Sequence, residues 1–164
     1  DSGFSLAGGV SSTQTADDGA VPGLLTEAGV DIYGIEAAYT ADSYGVSVAY
    51  SDNESSTFWG INGTYAFDFA TLSVGIESED TGSTTKEGYF VGLSFPEVGT
   101  GSLDIGMGTT GNFADGQEET YIYEASYAYP VNDSMTITPG IYIREGSGTT
   151  ADQTGFAVKT SFSF

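Results

Sequence analysis

The chain has 164 residues and is strongly acidic, with 23 Asp and Glu against 3 Lys and Arg and a formal net charge of -20. That balance repels phosphates and argues against a nucleic-acid partner, and the length suits one domain spanning residues 1–164. With neither Cys nor His there is no disulfide framework, thiolate chemistry, Cys/His metal site or His-dependent triad, which leaves little catalytic apparatus.

Period-2 alternation, broken by Gly, Asp, Asn, Ser and Pro clusters, predicts about ten strands and no helix. The first covers residues 3–12 with Phe4, Leu6 and Val10 on one face, and a polar segment containing Asp17, Asp18 and Pro22 follows it to Glu27. The second, 31–40, sets Tyr33, Ile35, Ala37 and Tyr39 against Ile32, Gly34, Glu36 and Ala38. After a turn at 41–43, the third sets Tyr44, Val46, Val48 and Tyr50 against Gly45, Ser47, Ala49 and Ser51. The fourth aligns Trp59, Ile61, Tyr65 and Phe67, turns at Asp68, and gives way to a fifth with Leu72, Val74 and Ile76 opposite Ser73, Gly75 and Glu77.

The sixth carries Tyr89, Val91, Leu93 and Phe95 opposite Phe90, Gly92 and Ser94, with Pro96 and Gly99 marking the next turn. The seventh sets Leu103, Ile105 and Met107 against Asp104, Gly106 and Gly108. The eighth sets Tyr121, Tyr123, Ala125, Tyr127 and Tyr129 against Ile122, Glu124, Ser126 and Ala128, and residues 130–133 turn the chain. The ninth sets Met135, Ile137, Pro139, Ile141 and Ile143 against Thr136, Thr138, Gly140, Tyr142 and Arg144, and the tenth is the alternating terminal run 155–164. Pro139 lacks a ladder donor and is expected at a bulge or a distorted pairing.

Connections near Asp42, Asp68, Glu97 and Asn132 read as short, and those near Asp17, Asn53, Gly82, Gly116 and Gly148 as longer and mostly acidic. That is the asymmetry of an antiparallel up-and-down transmembrane β-barrel, with short periplasmic turns and long external loops. Mean hydropathy is only -0.08 and no apolar run nears the roughly 18 residues of a spanning helix, but a barrel shows lipid only alternate residues. A soluble β-sandwich also alternates, yet its outer face carries long charged side chains, whereas the second face here is Gly, Ser, Thr and Ala. No signal peptide is present, so Asp1 reads as a mature, processed or truncated start.

Glu36, Glu77, Asp104 and Glu124 share the small-residue face with Arg144 and Lys159. Two carboxylates there have the makings of an acid and base, but scattered acids in a wet lumen bias which ions pass, with the two cations as their partners. The acidic loops contain no EF-hand spacing, so no cofactor is called for beyond loosely bound Ca²⁺ or Mg²⁺.

The runs GLSFPEVG at 92–99, YPVNDSMTITPG at 129–140 and KTSFSF at 159–164 resemble the C-terminal part of cyanobacterial outer-membrane porins, most of all those of marine picocyanobacteria. The resemblance implies an outer-membrane channel for small hydrophilic solutes and ions, commonly trimeric. Such porins usually carry an N-terminal S-layer homology domain and a larger barrel; this chain shows no such domain and is expected to be a C-terminal fragment, a reduced relative or a product put to another use. By the same resemblance, Phe156, Val158, Phe162 and Phe164 form the terminal signal read by the barrel-assembly machinery. Two functions are therefore expected: a cation-favouring porin without enzymatic turnover, or a structural protein assembling into fibres or sheets by strand pairing between chains.

Overall fold

The computed structural model describes residues 2–14 and 29–163. They form β1 (Gly3–Gln14), β2 (Gly29–Thr40), β3 (Tyr44–Asp52), β4 (Thr57–Ala66), β5 (Thr71–Asp80) and β6 (Thr85–Val98). There follow β7 (Gly101–Thr109), β8 (Phe113–Ala114), β9 (Tyr121–Asn132), β10 (Met135–Arg144) and β11 (Gln153–Phe162). All pairings are antiparallel, and spatial order follows chain order, except that the short β8 stands off the path and pairs with β6. This is an all-β, antiparallel up-and-down sheet of the kind that barrels are made from. Among the described residues the sheet is not closed: β1 pairs with β2, β11 with β10, and not with each other.

Two expectations about boundaries need correction. The links 53–56 and 81–84 are as short as the turn 67–70, because β3 and β4, like β5 and β6, run further than their apolar residues indicate. Asp80 then accepts from the Gly82 amide at 2.7 Å, and Gly82 takes φ 77°, a conformation that suits glycine, to turn the chain at once. The 2-residue β8 is the strand missing from the expected ten, too short for any period to register. Pro96 is not in the turn: it sits where the β6–β7 register shifts between Phe95 and Val98, a bulge that spares it a ladder bond. Pro139 pairs across β11 with Val158, while on the β9 side the register passes from Ile137–Tyr129 to Gly140–Ser126 without it.

Register places the alternating residues on two consistent faces. Along one, Ala37, Val48, Ile61 and Ile76 are successive cross-strand partners, and Val91 meets Met107. This apolar face is bounded by two rows of aromatic residues. Tyr33 and Tyr39, Tyr50 and Tyr44, Trp59 and Tyr65, Tyr89 and Phe95, and Tyr121 and Tyr127 stand six residues apart on their strands. Within the rows, rings touch across strands: Tyr39–Tyr44 at 5.9 Å and Phe69–Phe95 at 6.5 Å at one end, Tyr89–Tyr121 at 6.1 Å at the other. Asp31, Asp52, Asp80 and Glu87 share this face's parity but lie beyond the second row. Such aromatic girdles around a charge-free band mark the height of a bilayer's hydrocarbon.

Among the described residues nothing packs across either face of the sheet. Contacts between elements are those of hydrogen-bonded neighbours, so the two-layer sandwich is ruled out for the described residues. The buried hydrophobic is Ala70, 1% exposed, while Phe4 and Phe156 are 71% and 72% exposed. Side chains of this size gain roughly 1.5–3 kcal/mol each when removed from water, and only an apolar solvent around the sheet supplies that here.

Candidate functional site

The other face is built from residues that take up little room. Glycines and small polar residues alternate across the strands, as in the cross-strand row Thr40, Gly45, Thr64, Ser73, Gly92, Gly106. Against that background each charged residue stands apart. Glu36 lies between Ala7 and Ala49, and Glu77 between Gly60 and Gly88. Both belong to one row running Ala7, Glu36, Ala49, Gly60, Glu77, Gly88, three strand spacings or about 14 Å apart.

Asp104 and Glu124 come closer together. Asp104 pairs with Ser126, two residues from Glu124, and both line a cavity of about 330 Å³ with Tyr142 and Gly140. Asp104 also accepts a 2.6 Å hydrogen bond from the Ser94 hydroxyl. Arg144 stands between Ile122 and Gln153, and Lys159 across from Thr138 on β11. Among the described residues no ion pair joins either cation to the four acids, so the expected pairing is not formed. The ion pair on this face is Lys86–Glu79, at 3.5 Å across β5 and β6. Lys86 escapes a sequence reading that begins this strand at Tyr89, although carrying the alternation back through Gly88 would have found it.

Loop acids are occupied with backbone amides. Glu54 accepts from the Asp31 amide at 2.9 Å, Glu145 from that of Tyr121 at 3.0 Å, and Glu118 from that of Gly148 at 3.1 Å. Asp52 accepts from the Glu54 amide at 2.7 Å, where Glu54 holds φ 66°. These bonds tie neighbouring segments together at the end of the sheet opposite the turns 41–43 and 67–70. Asp17, Asp18, Pro22 and Glu27 lie outside the described residues.

On the last strand Phe156, Val158 and Phe162 all occupy the apolar face and are exposed, while Phe164 lies outside the described residues. Rigid strands thus hold a charge-free aromatic-bounded surface and, one residue out of phase, a small-residue surface carrying isolated carboxylates. The second arrangement offers a wet lining for passage, in which charges act through space on whatever solute comes by. No curated relative matches the chain. The family of Gram-negative porins matches residues 2–159. In fold, in the division of its faces and over almost its whole length, the chain belongs to the Gram-negative porin family.

Proposed function

We propose that the chain contributes a passive diffusion channel for small hydrophilic solutes and ions across the outer membrane, favours cations, and performs no turnover chemistry. The observation that carries this is the small-residue face: among the described residues four carboxylates stand there with no ion pair to Arg144 or Lys159, on a chain of net charge -20. Negative potential along a narrow wet path concentrates cations and repels anions. Lipid covers the apolar face, and the functional assembly is a homo-trimer. The loop acids hold Ca²⁺ or Mg²⁺ no more than loosely. Zero-current potential in a planar bilayer under a KCl gradient tests the reading; anion preference, or no channels from folded protein, overturns it.

Resemblance at 92–99, 129–140 and 159–164 supports a place among the porins of marine picocyanobacteria, with the chain as the C-terminal portion of the barrel. The single-sided pairing of β1 and β11 accords with further strands completing the sheet. It also favours a second reading, in which edge strands of separate chains pair into fibres or sheets. Electron microscopy of detergent-free material decides between them, with ordered fibres favouring the second. Phe156, Val158, Phe162 and Phe164 serve the barrel-assembly machinery in this proposal. Removing Phe164 then lowers membrane insertion far more than conductance, and unchanged insertion overturns the role.

A further inference from the structure

Among the charges on the small-residue face, Glu77 has surroundings that the others lack. Its cross-strand neighbours Gly60 and Gly88 offer no side chain to screen it, and its carboxylate makes no hydrogen bond or ion pair among the described residues. It lines two recesses, one on each side. The recess of about 290 Å³ toward β6 includes Phe90, Asn62 and Thr109; the recess of about 220 Å³ toward β4 includes Phe58 and Asn112. Two phenyl rings flank this one carboxylate, where the Asp104 and Glu124 cavity has the single ring of Tyr142.

Their placement is fixed by glycine. A Cβ on Gly75 would collide with the Phe90 ring and stand 2.6 Å from Asn62 Oδ1, so ring and amide both fold across that position beside Glu77. A Cβ on Gly88 would stand 2.4 Å from Asn112 Oδ1, so the segment after β7 leans onto the face from above. Glu77 therefore shares its two recesses with the phenyl rings of Phe90 and Phe58 and with the oxygen-bearing side chains of Asn62, Asn112 and Thr109. A metal ion would find a single carboxylate and two apolar walls. A substituted ammonium ion finds an opposite charge, ring faces for its polarised CH groups and acceptors for any N–H.

We infer that Glu77, between Phe58 and Phe90, forms a binding site for small substituted ammonium ions on their way through the channel. The inference rests on the channel reading only for how the ion arrives, and two measurements separate the two. In the first, choline chloride is titrated into the detergent-folded full chain by calorimetry, with NaCl at equal ionic strength as the reference. Glu77→Gln weakens choline binding about tenfold and Phe90→Leu about threefold, while Glu97→Gln, which removes the same charge at the opposite end of β6, leaves it unchanged. In the second, choline added to KCl reduces single-channel current in the wild type, and the half-blocking concentration rises about tenfold in Glu77→Gln. Equal choline binding by wild type and Glu77→Gln, or a heat that NaCl reproduces, overturns the site. Channels that conduct with block insensitive to Glu77 overturn the site and spare the channel; Glu77-dependent binding without any conductance supports the site and sinks the channel.

Discussion

Val48 and Ala49 are neighbours on β3, yet they live in different solvents. Val48 lies in the row Ala37, Val48, Ile61, Ile76, which holds no charge between its aromatic borders; Ala49 lies in the row that contains Glu36 and Glu77. The same backbone ladder serves both, so what separates them is only the direction of a Cβ. The lesson is that one face answers to a prohibition and the other to none: hydrocarbon forbids charge, while a wet lining tolerates acids, bases, rings and bare backbone side by side.

Substituting Val48→Arg and Ala49→Arg separately is the harshest test of that contrast. The first places a guanidinium in the middle of the band and destabilises the folded chain in vesicles by about 2–4 kcal/mol in urea unfolding. The second costs much less and instead lowers cation preference, because the new charge sits beside Glu36; equal destabilisation by both would erase the distinction between faces. Gly75→Ala follows, with about 1–3 kcal/mol lost as the new methyl collides with Phe90 and Asn62. Pairing it with Phe90→Ala relieves the ring clash and leaves that with Asn62, so a smaller loss from Gly75→Ala in the Phe90→Ala background than in the wild type confirms the contact. Glu36→Gln with Glu77→Gln leaves folding intact and lowers the cation-to-anion permeability ratio at low salt by up to about sevenfold per carboxylate, since a charge ~7 Å from the path favours a cation and disfavours an anion by ~0.6 kcal/mol each in water. An unchanged zero-current potential would remove these acids from selectivity. Lys86→Gln is the mildest, shifting the urea midpoint by under about 1 kcal/mol because the pair with Glu79 is partly exposed to solvent.

The two faces were legible in the sequence because period 2 is a local property of extended chain. Register sets Glu36, Glu77, Asp104, Glu124, Arg144 and Lys159 at one parity of the ladder. What escaped depends on partners distant in sequence. Thr85 to Gly88 lack an apolar rhythm and read as loop, but they are strand because β5 and β8 offer them hydrogen bonds. Pro96 is a turn signal in isolation and a bulge residue once β7 lies beside it. The recess at Glu77 is assembled from β4, β5, β6 and the segment after β7, so no local window contains it. Closure of the sheet is likewise decided by which strand meets β1 and β11, and alternation carries no information about that.

The six-residue separation between the aromatic rows makes the molecule a gauge. Six steps span about 20 Å along a strand, and at a tilt near 40° this becomes about 15 Å of height between ring-bearing positions. A bilayer of long saturated tails must thin itself to meet such a short belt, at a fraction of a kcal/mol per Å, whereas one of short tails fits without distortion. Tail length alone, with no change in the protein, thus sets how readily the chain enters one membrane over another, and folding yield declines steadily from short-chain to long-chain vesicles.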